Sequence, residues 1–289
     1  MMKTFLLLLV VVSGCSGCFR RWVMTDKQID AYYRNKPVKP SFYNLRNDSI
    51  ELFCATTGAD TLPPVIMIHG APGAWYGSRN LLDDSVLQKR FHIIAVDRLG
   101  YNKSKFKGKR RPVTSITTQA NAIQLALGLN KSGKTGIVMG SSYGAPIAGK
   151  IAVLHPEDYH HLLMLAPAID PGREKFWWFH QYLNSGIFVQ LLPRYIRAAT
   201  AEKFAHTYEL ALMVEDWQRL TIPVTVVQGG ADYIIEPGNL DFAREQLRGR
   251  KATFYLLPEA GHLIRFSNPS LVRNILINSL NDVKERPRK

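Results

Sequence analysis

Cysteine is scarce in this chain, with Cys15, Cys18 and Cys54 the only three in 289 residues. Two lie close together near the N-terminus and the third in an apolar stretch, Ile50 to Ala55, so a disulfide framework is not what holds the fold together. Long hydrophobic runs are missing too. The N-terminal run, Phe5 to Val12, falls well short of the ~20 apolar residues that a permanent membrane-spanning helix needs. There is no internal repeat and no low-complexity tract, which excludes solenoid and fibrous architectures. Acid is in short supply, 23 Asp and Glu against 37 Lys and Arg, for a formal charge of +14. Lys3 is the only charged residue in the first 14, so the rest of the chain carries +13. No recognisable nucleic-acid-binding module accompanies this basic excess, so nucleic acid is a poor reading of it and no nucleic-acid partner is expected. A hydrophobic content of 46% over this length is enough to bury a sizeable sheet in a single α/β domain.

Strand and helix signals alternate along most of the chain. Strands are predicted at Phe42 to Arg46, Ser49 to Thr56, Val65 to His69, Phe91 to Asp97, Gly136 to Gly140, His161 to Ala166, Val224 to Gln228 and Ala252 to Leu257. Helices are predicted at Ser115 to Leu129 and Ala145 to Leu154. That alternation implies right-handed crossovers and a mostly parallel central sheet flanked by helices. It breaks between Pro171 and Arg219, which is rich in aromatics (Phe176-Trp177-Trp178-Phe179-His180) and has no strand pattern. This segment is expected to be a helical cap inserted after the sixth strand.

The chemistry is carried by Gly140-Ser141-Ser142-Tyr143-Gly144, set between an apolar strand and a helix. Glycines two residues either side of Ser142 suit a nucleophile elbow, where strand and helix approach so closely that side chains there would collide. Serine needs a base, an acid to orient the base and donors for an oxyanion. His262, after Gly261 on the loop following Ala252 to Leu257, fits the base. Asp232, where Val224 to Gln228 runs into Gly229-Gly230-Ala231, fits the acid, with Glu236 or Asp241 as alternatives. The loop His69-Gly70-Ala71-Pro72-Gly73 follows a buried strand and can turn the Ala71 N–H inward, which with the N–H of Tyr143 makes a two-donor oxyanion hole. His69 is assigned a structural role in that loop. Asp97 and Arg98 are expected to form a local ion pair or loop hydrogen bonds.

These motifs, with Asp97-Arg98-Leu99-Gly100-Tyr101-Asn102-Lys103-Ser104 and Pro237, resemble those of the α/β-hydrolase superfamily from about Pro63 to the C-terminus, in the order Ser, Asp, His. The resemblance implies a serine hydrolase with a cap, esterase-like, without metal or organic cofactor. Four positions depart from relatives. Ala71 and Tyr143 stand where enzymes similar to prolyl aminopeptidases carry glycine and tryptophan. Ser142 stands where relatives that open epoxides or remove halides carry aspartate. Asn102 replaces a common glycine.

Met1-Met2-Lys3 and the apolar run that follows read as a signal peptide, and Val12-Ser13-Gly14-Cys15 resembles the lipobox of bacterial lipoproteins, with Cys15 lipidated. Two or three acyl chains anchor stably where one is marginal. An ordinary secretory signal cut near Gly17, and Cys18 as acceptor, are the alternatives. The expected organisation is a signal peptide at 1–14, tether and linker at 15–40, hydrolase core at 41–170 and 220–289, and cap at 171–219. The expected location is the bacterial cell envelope, lipid-anchored, at the outer membrane where the cell has one. The cap aromatics serve either as packing or, through Trp177 and Trp178, as lining for a substrate pocket. The basic loop Lys103 to Arg111 is open to three readings: a solvated loop, contact with anionic lipid, or attraction of acidic substrates. The activity expected is cleavage of a carboxylic ester by acyl transfer, with an amidase or peptidase, or a non-catalytic ligand-binding lipoprotein, as alternatives.

Overall fold

The computed structural model describes residues 23–108, 111–178 and 180–286. The signal segment, Cys15, Cys18, Lys109 and Arg110 lie outside the described residues. The chain divides into two compact units, residues 1–39 and 40–289. The described part of the first is not a plain linker, because it carries helix α1 (Asp26–Tyr33). Its start is a capping box: Thr25 Oγ1 accepts from the Gln28 N–H at 3.3 Å and Gln28 Oε1 accepts from the Thr25 N–H at 2.9 Å. Thr25-x-x-Gln28 is the local signal that the linker reading passed over.

Residues 40–289 are built on one sheet, nine-stranded among the described residues. The strands are β1 (Ser41–Arg46), β2 (Ile50–Thr57), β3 (Pro64–Ile68), β4 (His92–Val96), β5 (Lys105–Phe106), β6 (Gly136–Ser141), β7 (Tyr159–Leu165), β8 (Val224–Gly229) and β9 (Ala252–Leu257). Their order is β1-β2-β4-β3-β6-β7-β8-β9, with β5 against β2. From β4 to β9 every pairing is parallel, and β1, β2 and β5 pair antiparallel. The predicted strands fall within about two residues of these. The strand missed is β5, two residues inside the basic run, too short to leave a period, and it moves the helical insertion from after the sixth strand to after the seventh. Pairing there gives the basic run partners: Lys105 Nζ lies 3.5 Å from Glu51 Oε2, Lys103 sits over the Phe53 ring and Arg111 over the Phe106 ring.

β3, β4, β6 and β7 are buried along their whole length because helices cover both faces. Helix α2 (Ile116–Ile123), capped by Ser115, continues to Leu129 as a 3-10 helix. Helix α3 (Gly144–Leu154) follows β6 directly and is buried nearly all round. The insertion is helical, with its longest element α4 (Arg194–Ala211), and it belongs to the same compact unit as the sheet. Helices α5 (Asn239–Gln246) and α6 (Pro269–Asn278) complete the layers. Cys54 is free and buried in β2. Among the described residues no helix is long and apolar enough to cross a membrane.

The loop after β4 is pinned by Asp97. Its Oδ1 accepts from the Trp75 N–H at 2.9 Å, and its Oδ2 accepts from Asn102 Nδ2 at 2.8 Å and the Lys103 N–H at 3.4 Å. Asn102 has φ +40°, the left-handed region that Asn tolerates best after glycine, which is why it can replace glycine here. Complete burial pushes the Asp97 carboxyl up to about 7, against the pull of those hydrogen bonds. A folded value above the unfolded ~3.9 means that its contribution to stability is complete below about pH 4 and is lost as pH rises through 7. The stability of the wild type relative to Asp97→Asn is therefore expected to fall between about pH 5 and pH 8, by on the order of 1 kcal/mol per pH unit over the part below 7. Urea titrations of both proteins at the two pH values measure this, and a difference independent of pH would refute it.

Candidate active site

Ser142 sits between β6 and α3 with φ +54°. Its N–H donates to the Leu165 carbonyl and its own carbonyl accepts from the Ala145 N–H, both at 2.9 Å. A non-glycine residue in that region is strained and persists only where its surroundings impose it. Here the imposition is steric. A Cβ on Gly140 would lie 2.2 Å from the Gly144 carbonyl oxygen, and one on Gly144 would lie 2.5 Å from the Ile68 oxygen and 2.6 Å from the His69 oxygen. Strand, helix and the neighbouring strand thus meet at backbone contact, and the half-buried Ser142 is held at the apex of the turn.

His262 and Asp232 come together at the ends of β9 and β8, 2.8 Å between His262 Nδ1 and Asp232 Oδ2. The Asp232 side chain is fully buried. Its Oδ1 accepts from the N–H groups of Ile234 and Ile235, both at 2.9 Å, so one oxygen closes the turn and the other orients the histidine. A carboxylate accepts only, so His262 donates from Nδ1 and keeps its lone pair on Nε2. The other acids weighed for this role are engaged elsewhere, Glu236 with Arg173 and Lys175, and Asp241 with Arg244.

The loop after β3 lies against Ser142. A Cβ on Gly70 would be 2.9 Å from Ser142 Cβ and 3.4 Å from its Oγ. Among the described residues neither the Ala71 N–H nor the Tyr143 N–H donates to a protein acceptor. His69 is buried and wired to backbone: Nε2 accepts from the Arg98 N–H at 3.1 Å, which leaves Nδ1 to donate to the Gly70 carbonyl at 2.7 Å. Burial, with the Arg98 guanidinium beside it, holds its pKa well below the usual histidine value, so the ring stays neutral. Gly70→Ala is expected to displace Ser142 and to lower kcat about 100-fold, the size of loss a misplacement of ~1 Å produces, with KM little changed. Steady-state kinetics on a small neutral ester decides it, and a variant as fast as the wild type would show that Gly70 and Ser142 do not need this contact.

Arg98 does not pair with Asp97, which departs from one of the two arrangements the sequence allowed. Its guanidinium reaches Glu202 on α4, Nη1 to Oε1 at 2.5 Å and Nη2 to Oε2 at 3.0 Å, with both side chains fully buried. The Tyr101 hydroxyl donates to the same Glu202 Oε2 at 2.6 Å. One turn on, His206 stacks on the Tyr143 ring at 4.3 Å between centroids and meets Glu174 at 2.5 Å. Glu174, Glu202 and His206 were missed in the sequence, yet a signal was present: Ala198, Glu202, His206 and Leu210 recur at four-residue spacing as one buried stripe, and an acid in the middle of such a stripe needs a partner. Trp177 and Trp178, for which the sequence left packing or pocket lining open, are exposed, at 50% and 77%. Phe176 beside them is likewise exposed, while Ile196, Ala198, Glu202, His206 and Leu210 of α4 are buried.

Among the described residues one group of three potential metal ligands converges, His155, Glu157 and Asp158. It follows the C-terminal end of α3, opposite the end that carries Ser142. Asp158 is already bound by Arg286 and Gln124, so the cluster is a structural tie.

The sequence profile of the alpha/beta hydrolase family matches residues 65–275. The AB hydrolase superfamily protein YfhM of Bacillus subtilis is 30% identical over 128 residues, 44% of this chain and 43% of that protein. A 1-acylglycerol-3-phosphate O-acyltransferase of Arabidopsis thaliana is 33% identical over 124 residues, 40% of this chain and 27% of that protein. The chain thus spans less than half the length of these curated relatives. Among solved structures, a membrane phospholipase A described as a bacterial virulence factor superposes with a TM-score of 0.66 at 18% identity, covering 97% of this chain and 98% of that one. At that identity the likeness shows the fold alone.

Proposed function

Because the chain belongs to the alpha/beta hydrolase family, we propose that it is a serine hydrolase that cleaves a carboxylic ester through an acyl-enzyme, with Ser142 as nucleophile, His262 as base then acid, and Asp232 as the group that orients the histidine. The observation that carries this reading is the conjunction at the strand ends: a strained Ser142 on the elbow, with the buried Asp232 bound to His262 Nδ1 and leaving Nε2 as the proton acceptor. In the first half-reaction Ser142 Oγ attacks the ester carbonyl carbon while its proton passes to His262 Nε2. The carbonyl π electrons move to the oxygen, and the N–H groups of Ala71 and Tyr143 receive that charge, aided by the N-terminal end of α3. Collapse breaks the bond to the alkoxy group, which leaves as an alcohol with the proton from His262. Water then repeats the sequence on the acyl-enzyme, releasing the acid and restoring Ser142.

The membrane phospholipase A named above shares the fold over nearly the whole chain, and an ester of membrane lipid is a substrate that an envelope location would bring within reach. The location itself, lipidation on Cys15 after removal of residues 1–14, rests on the sequence Val12-Ser13-Gly14-Cys15. The deciding experiment is labelling of the full chain with a fluorophosphonate, the adduct mapped by mass spectrometry, beside nitrophenyl esters of graded acyl length. An adduct on Ser142 with ester turnover supports the reading. A folded protein without an adduct sinks it in favour of ligand binding.

A further inference from the structure

A buried arginine and glutamate gain little stability from each other, because desolvating both costs about what their attraction returns. The Arg98–Glu202 pair therefore calls for another reason, and the remaining contacts of Arg98 supply it. Its Nε donates to the His69 carbonyl and its Nη2 to the Gly70 carbonyl, both at 3.0 Å. The Gly70 carbonyl belongs to the same trans peptide as the Ala71 N–H, and in a trans peptide C=O and N–H point in opposite directions. Holding the Gly70 oxygen toward Arg98 turns the Ala71 N–H away from Arg98. Gly70 itself lies against Ser142.

We propose that Arg98 and Glu202 are positioning residues for the oxyanion hole: the helical insertion, through Glu202, fixes the guanidinium that holds the Gly70 carbonyl and thereby aims the Ala71 N–H at the carbonyl oxygen of a substrate on Ser142. This rests on the proposed hydrolase reading. The guanidinium has no freedom to do otherwise. Glu202 takes Nη1 and Nη2 as a fork, and the Tyr101 and Tyr143 rings lie 4.6 and 4.9 Å from the guanidinium carbon. The Tyr101 hydroxyl fixes Glu202 in turn. The same helix reaches the residue of the second donor, since His206 stacks on Tyr143. The insertion thus does more than cover the strand ends, because one face of α4 braces both N–H donors.

The test separates positioning from stability. In the triple variant Arg98→Met, Tyr101→Phe, Glu202→Met the buried charges and the hydroxyl leave together, so no unpaired charge is left in the core and the fold is expected to be retained. The His69 and Gly70 carbonyls nevertheless lose their guanidinium. The expected result is a Tm within a few degrees of the wild type, kcat on a neutral nitrophenyl ester lower by about 100-fold, the loss typical of one oxyanion donor, and KM changed less than threefold. Hydrogen exchange read by mass spectrometry should speed up at least ~10-fold in residues 69–73 and stay unchanged in β3. Glu202→Gln, which keeps shape and most hydrogen bonds, should lower kcat by roughly 10-fold in the same direction and serves if the triple variant does not fold. Arg98→Lys should not rescue kcat, since a single ammonium cannot serve two carbonyls and a carboxylate as the planar fork does. A folded variant with wild-type kcat and unchanged exchange at 69–73 overturns the proposal. If the wild-type protein neither turns over esters nor labels at Ser142, the hydrolase reading has failed, and the exchange measurement alone decides whether the pair positions the loop.

Discussion

Replacing Ser142 by alanine should lower kcat on a nitrophenyl ester by about 10⁶-fold, leaving only the catalysis that binding and the oxyanion donors provide without a nucleophile. KM should change little, because Oγ contributes to bond making rather than to holding the ester. Asp232→Asn should cost about 10⁴-fold for a different reason. The asparagine oxygen can still close the turn by accepting from Ile234 and Ile235, which leaves the amide nitrogen facing His262 Nδ1. Two donors cannot share that contact, so the histidine must carry its proton on Nε2, where no lone pair remains for the Ser142 proton. Both variants should keep the wild-type Tm within a few degrees, which distinguishes lost chemistry from lost fold. Initial rates with the two purified proteins check the pair of losses. An alanine variant within tenfold of the wild type would remove Ser142 from the reaction.

The second large effect is structural. Gly144→Ala would put a methyl group 2.5 and 2.6 Å from two backbone oxygens of β3 and its loop, and neither can yield. Ile68 is paired on both sides, with Val96 of β4 and Gly140 of β6, in the centre of the sheet. The helix would have to withdraw by on the order of half an ångström from a close-packed joint, at a cost of about 3 kcal/mol or more. Gly140→Ala presses on the same joint from the other side, 2.2 Å from the Gly144 oxygen, so the two substitutions should be strongly non-additive. Urea midpoints of the single and double variants measure this. Activity should fall with each, because any withdrawal of α3 carries Ser142 and the Tyr143 N–H with it. A Gly144→Ala protein as stable as the wild type would mean that β3 and α3 do not meet as closely as the structure has them.

Much of this site was legible because its parts are local. An elbow is five consecutive residues, a strand followed by glycine and acid is nine, and Gly261-His262 marks the loop after the last strand. Each leaves a pattern in the chain, and the order Ser, Asp, His links them. Boundaries were close for the same reason, since periodicity reports on neighbours along the chain. The misses share the opposite property. Strand β5 is two residues whose only reason to be extended is β2 beside them, 54 residues earlier in the pairing of Glu51 with Lys105. The Arg98–Glu202 contact spans 104 positions.

The amino-acid sequence by itself determined the family, the parallel sheet, the helical insertion and which serine, histidine and aspartate stand at strand ends, because all of these follow from short-range pattern and element order. Only the tertiary structure decided that Asp97 and Arg98 part company, that the Arg98 guanidinium holds the carbonyls beside the nucleophile and that the insertion reaches into this arrangement through Glu202 and His206. A guanidinium has several donors and many acids within reach of an unfolded chain. Which acid it takes is settled by the excluded volume and low dielectric of the packed interior, where a buried charge must find its partner, and that information exists only once the strands, α3 and α4 are assembled.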